Sequence, residues 1–204
     1  MIENLLKSTL RHYRCSDAIM EELWSEIAKQ HSSRMRYYHT LHHLDSMILR
    51  LQEVQPVIEH WNAIVLAVAY HDIIYNPLRS NNEERSAAVA MERLAAAGVD
   101  ADTLARTHRH IIASKTHTVS ADQDTNYFTD ADLSVLGASR EVYKLYADHV
   151  RKEYRYYPDL VYKPGRKKVL RHFLEMPRIF KTDHFYHTFE QQARYNLLWE
   201  LDGS

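Results

Sequence analysis

One stretch of this chain gathers histidines and an aspartate into a pattern that could do chemistry. From Tyr38 to Asp72 it reads YHTLHHLDSMILRLQEVQPVIEHWNAIVLAVAYHD, with histidines clustered at its start and an adjacent His71-Asp72 pair at its end. Neutral imidazole nitrogens and a carboxylate oxygen form a mixed ligand set suited to divalent transition metals. A carboxylate at the end of an apolar helix is costly unless a cation or several donors compensate it. The plainer reading of Asp72 is an ion pair or a helix-end cap. For His43 it is a core histidine satisfied by a backbone carbonyl.

The elements that must hold these residues are helices. Gly (4) and Pro (5) are scarce and period-two alternation is weak, so the chain reads as all-α. Leu44, Met47, Ile48, Leu51 and Val54 form an apolar stripe at the i, i+3, i+4, i+7 spacing. At about 100° per residue, His43 falls at the edge of that stripe and His42 points to the opposite side. Residues 61–70 are apolar on all sides, as expected of a central helix. A tight connection near Pro56 would bring His43 to His71-Asp72.

The remaining chain supplies supporting candidates. Asp17 is the expected N-cap of a helix carrying Ile19, Leu23, Trp24 and Ile27. A helix opening near Ser80 to Asn82 starts with Glu83 and Glu84 and is expected to bury Ala87, Ala88, Met91, Leu94 and Ala95. Glu84, in line with Ala88, Met91 and Ala95, is the candidate for orienting a ligand by hydrogen bonding, although early glutamates also complement the helix dipole. Gly98 is a natural helix stop before a helix over 101–113. His117 then lies in a polar surface loop. Asp130 and Asp132 stand where a buried segment begins, and spacing alone does not choose which one caps a helix and which one faces a metal.

Further along, a helix over 141–154 is expected to turn Val142, Leu145, Tyr146, His149 and Val150 inward. Four tyrosines between 154 and 162 form either an aromatic wall for a ligand or a cap on the core. Arg166, Lys167, Lys168 and Arg171 open the next helix as a local basic group. Arg166 or Lys167 is a candidate phosphate contact, the alternative being a solvated face. A last helix over 184–201 packs through Phe185, Phe189, Ala193, Leu197 and Leu198.

Composition limits the classes. With 204 residues and 45% apolar content, one domain spanning 1–204 is expected, its core at about 36–137 and C-terminal helices at about 139–201 packing on it. Lys plus Arg (26) balances Asp plus Glu (27), which argues against nucleic acid as partner. No apolar run approaches the ~20 residues of a membrane helix. One cysteine, Cys15, and an N-terminus without signal-peptide pattern suggest the cytoplasm. A homo-oligomer is left open.

A histidine, a His-Asp pair and a distant aspartate in an all-helical chain resemble the HD superfamily of metal-dependent phosphohydrolases. Tyr38-His39-Thr40-Leu41-His42-His43 is similar to the Tyr-His-x-x-x-His segment of its cyclic-nucleotide phosphodiesterase branch, and Ala131-Asp132-Leu133-Ser134 to that branch's Ala-Asp-Leu-Ser. Over most of its length the chain looks like small bacterial HD proteins, including NEERSA at 82–87 and GRKKVLRHFL at 165–174.

The resemblance implies an HD-type helical bundle in which His43, His71, Asp72 and Asp132 bind one divalent ion, be it Mn, Fe, Zn, Ni, Co or Mg. The adjacent His-His pair of dinuclear members is missing downstream of Asp72, so one ion is implied rather than two. His39 falls where the phosphodiesterases carry the histidine that protonates the leaving group. Asp72 or Asp132 could also orient the attacking water as a base, with Glu84, His117, Arg166 and Lys167 supporting or facing a small phosphorylated substrate such as a nucleotide. The reading from a different class is a catalytically silent metal-containing scaffold that binds a nucleotide or a protein partner.

Overall fold

Helix-forming segments separated by short polar stops dominate the computed structural model, which describes residues 1–203. The helices are α1 (Ile2–His12), α2 (Asp17–His31), α3 (Leu41–Glu53), α4 (Trp61–Tyr70), α5 (Asn82–Ala96), α6 (Ala101–Ala113), α7 (Gln123–Leu133), α8 (Arg140–Glu153), α9 (Asp159–Glu175) and α10 (Asp183–Gly203). Short 3-10 turns follow α3 at Gln55–Val57 and α7 at Ser134–Gly137. Among the described residues there is no strand, so the all-α expectation holds. No helix among them is long and apolar enough to cross a membrane.

The chain divides into two compact units, Met1–Thr129 and Asp130–Ser204. In the first, α4 is the centre and packs against α1, α3, α5 and α6. Its residues from Ala63 to Tyr70 are all buried, as a helix apolar on every side requires. Burying each Ile, Val or Leu side chain there stabilises the unit by about 1.5–3 kcal/mol. The stripe of α3 is buried as its spacing predicts: Leu44, Met47, Ile48 and Leu51 are within 1% of complete burial.

Local stops account for the helix ends. Ser16, not Asp17, is the N-cap of α2, its side chain accepting from the Ile19 amide; Asp17 instead occupies the first helical turn, where its charge complements the dipole. After α5, Gly98 adopts φ +83°. Its amide donates to the Ala95 carbonyl, and the Val99 amide to that of Leu94, a Schellman stop that favours glycine. Asp122 opens α7 by accepting from the amides of Asp124 and Thr125.

Two faces differ from their expected positions. In α5 the buried residues are Ser86, Ala87, Ala90 and Leu94, while Ala88 and Ala95 are exposed. Alanine adds too little apolar area to fix a helix's rotation, so the line containing Glu84 is an outer one. In α8 the buried residues are Tyr143, Val150 and Glu153, and Val142 and Leu145 are exposed. Tyr143 outweighs both aliphatics because its hydroxyl reaches Glu200 at 2.5 Å while its ring is buried.

The second unit is organised around α10, which packs on α9 and on the turn after α7. Phe185, Phe189, Ala193 and Leu197 are buried as expected, whereas Leu198 is exposed. The helix expected to open at Arg166 begins earlier, at Asp159, and carries Pro164 within it. As the sixth residue of that helix, Pro164 lacks the N–H that would bond to the Leu160 carbonyl, so α9 forgoes one backbone hydrogen bond there.

Candidate metal centre

His43 enters from the first turn of α3 and His71 from the end of α4. Their Nε2 atoms stand 3.4 Å apart and both rings are buried. The apolar stripe of α3 turns His43 inward, while His42 on the other side bonds only to Ser46. The orientation of His71 follows from its other nitrogen: Nδ1 lies 3.1 Å from the Val68 carbonyl. A carbonyl can only accept, so Nδ1 carries the proton and Nε2 offers a lone pair.

His43, His71 and Asp132 together form a group that could hold a metal ion, one ligand atom from each lying within 4.8 Å of the others. Asp132 is carried by the last turn of α7. Asp72 does not belong to that mutually close set, but its Oδ2 lies 3.1 Å from His71 Nε2. A lone pair facing a carboxylate at that distance is not a hydrogen bond unless a further proton sits on the ring or on the carboxyl. Lone pairs on nitrogen and oxygen converging on one volume are instead what a divalent cation satisfies.

His39 sits beside this group in the irregular stretch between α2 and α3. Its Nε2 is 3.8 Å from Asp72 Oδ2. Its ring stacks on Tyr75 at 4.1 Å between centroids, with 29° between planes. Tyr38 covers the His43 ring at 4.8 Å. Nearby, His31 is buried and donates Nδ1–H to the Ile27 carbonyl. Burial, with the Arg36 charge, pushes its pKa down to about 3 and keeps the ring neutral.

Asp130 and Asp132, two residues apart on α7, have separate tasks. Neither opens a helix of its own. Asp130 is fully buried and accepts from the amides of Lys181 and Thr182 and from the Thr182 hydroxyl, at 2.8–3.0 Å. It therefore secures the entry to α10. The Lys181 ammonium is 3.3 Å away. Burial pushes the Asp130 carboxyl up and the Lys181 amine down, while their mutual attraction opposes both shifts.

The other expected residues stand in different settings. Glu84 is paired with Lys115, which holds its carboxyl below the usual range. His117 lies in the loop between α6 and α7 with φ 52°, a left-handed conformation that histidine tolerates in loops. Arg166 is bidentate to Glu200, at 2.7 and 2.9 Å. Lys167, next to it on α9, is half-buried.

Residues that the sequence reading did not single out are Arg36, Tyr75 and Val68. The first two follow or precede the histidine motifs closely in sequence, but irregular backbone carries them and periodicity cannot place them. No protein-family model matches the chain, and neither the curated proteins nor the solved structures contain a match.

Proposed function

We propose that this protein is a metal-dependent phosphohydrolase of the HD type, acting on a phosphate ester of a small molecule such as a nucleotide. The observation that carries the reading is the group of His43, His71 and Asp132, with Asp72 against His71 and His39 against Asp72. His43, His71 and Asp132, with Asp72 beside them, would hold one divalent ion. Such an ion would supply Lewis acidity toward a phosphoryl oxygen and lower the pKa of water from 15.7 toward ~7.

The protein's residues account for the rest. The Val68 carbonyl fixes the His71 tautomer that leaves Nε2 available. Asp72 orients the attacking water and accepts its proton on a carboxylate oxygen. His39, when protonated, donates its ring N–H to the departing oxygen, the part a general acid plays in phosphate-ester cleavage. The buried rings of His43 and His71 exclude bulk water from one side of the reacting group. Arg166 and Glu84 are engaged by Glu200 and Lys115, and the mechanism draws on neither.

The test is metal analysis of the purified protein, followed by turnover assays on phosphomonoesters, nucleotides and cyclic nucleotides, with Asp72→Ala as control. Metal-dependent turnover that is lost in Asp72→Ala is expected. Stoichiometric metal with no turnover on any substrate would replace this reading with that of a metal-containing scaffold that binds a nucleotide or a protein.

A further inference from the structure

We infer that Arg36 and Tyr75 are positioning residues that clamp His39 over Asp72. The inference rests on the hydrolase reading for its catalytic meaning, but its geometry is independent of any substrate. His39 and Tyr75 both lie in irregular backbone, His39 before α3 and Tyr75 after α4. Neither has a helix to fix its side chain, yet their rings are stacked at 4.1 Å.

Arg36 joins the two segments. Its Nη1 donates to the His39 carbonyl at 3.3 Å and its Nη2 to the Ile73 carbonyl at 2.9 Å. The guanidinium carbon lies 5.6 Å from the centre of the Tyr75 ring. Arg36 is only 8% exposed, and withdrawing a cation from water costs several kcal/mol unless its donors are used. Two carbonyls from segments 34 residues apart in the chain, those of His39 and Ile73, are bonded through one planar group, which uses its donors in a way that fixes the spacing of those segments. Lysine, a point charge on a flexible stem, cannot reproduce that fork.

The consequence is the 3.8 Å separation of His39 Nε2 from Asp72 Oδ2. A proton donor held in a loop is effective only if its nitrogen is delivered to one place, and a misplacement of about 1 Å can cost about 10²-fold in rate. Tyr75 limits the ring's tilt by stacking, and Arg36 limits the travel of the backbone that carries it.

The experiment reads the His39 ring directly. Its carbon-bound ring protons, assigned by their loss in His39→Gln, are expected upfield in proton NMR because they lie over Tyr75. That shift should vanish in Tyr75→Leu, return in Tyr75→Phe and diminish in both Arg36→Lys and Arg36→Met. Should Arg36→Met fail to fold, the Tyr75 pair and Arg36→Lys still decide. In folded Arg36→Lys, kcat should fall about tenfold or more with KM little changed, the pattern of a lost transition-state contact. An unchanged His39 shift in Tyr75→Leu or in Arg36→Lys would overturn the clamp. A wild-type protein that shows the shift but no turnover would sink the hydrolase reading and leave the clamp standing.

Discussion

The Nε2 atoms of His43 and His71 face each other at 3.4 Å, although the Val68 carbonyl already takes the Nδ1 proton of His71. The Nε2 lone pair of His71 faces both His43 Nε2 and a carboxylate oxygen 3.1 Å away; a proton on His43 Nε2 satisfies only the first contact, so the second calls for a further proton or a cation. Removing a ligand therefore removes a cation site and not merely a contact. His43→Ala, His71→Ala and Asp132→Ala should each weaken binding of a divalent ion by about 10²-fold or more, beyond the loss typical of outer-shell partners. Titration of the purified variants with Mn2+, Co2+ and Zn2+ measures this, with circular dichroism as the check on folding. Full metal content in folded His43→Ala or Asp132→Ala would mean the ligand set is wrong.

Asp130 and Asp132 should respond in opposite ways. Asp130 serves three donors and lies beside a lysine whose side chain is 2% exposed. Breaking a buried charged pair costs about 3–5 kcal/mol, so Asp130→Ala should lower unfolding stability by that order. Asp132→Ala, at a half-buried carboxylate, should cost less stability in metal-free buffer than Asp130→Ala and lose the ion. Urea unfolding in the presence of a chelator separates the two. Equal destabilisation by both substitutions would contradict the division of labour.

That division marks the limit of what the residues could say in advance. His43 was legible because a strong aliphatic stripe fixes the rotation of α3, and α4 because it is apolar on all sides. Asp130 and Asp132 were not distinguished by spacing, since the group that claims Asp130 is the backbone at Lys181 and Thr182, about fifty residues later. The α5 face was placed in part, Ala87 and Leu94 being buried and Ala88 and Ala95 exposed, because alanines barely bias a helix's rotation. The α8 face was misplaced because the bond from Tyr143 to Glu200 joins two distant helices. Arg36 escaped notice for a related reason: its partners are carbonyl oxygens, which every residue possesses.

Gly137 closes the turn after α7, and its demand is for space rather than for an unusual backbone angle. A Cβ at this position would lie 2.5 Å from Phe189 Cβ, 2.6 Å from the Phe189 carbonyl oxygen and 2.9 Å from its Cα. These are backbone and near-backbone atoms of α10, which cannot swing aside as the end of a side chain can. Gly137→Ala should therefore destabilise the second unit by about 1–3 kcal/mol, the usual cost of overpacking. Gly165→Ala, at a position where the added carbon meets nothing within 4 Å, is the matched control and should be neutral or mildly stabilising within its helix. Thermal unfolding that ranks the two in the reverse order would refute the packing argument.

Acid should destabilise the protein through two histidines outside the metal group. Burial holds His31 at a pKa of about 3 and His110 at about 4, below the ordinary value near 6.5. Each ring gives its Nδ1 to one partner, the Ile27 carbonyl and the Thr125 hydroxyl respectively. Below pH 6.5 the unfolded chain takes up protons that the folded chain refuses, so the stability these rings contribute is fully present above that pH. It is lost as the pH falls toward their folded values. Each contributes up to about 1.4 kcal/mol per pH unit, giving a combined loss of about 3 kcal/mol between pH 6.5 and 5. Urea unfolding in chelator across this range should show the slope, and His110→Gln should remove close to half of these two rings' share by deleting one titrating ring. A slope identical in wild type and His110→Gln would show that His110 is already protonated in the folded protein, and that its burial does not hold it neutral.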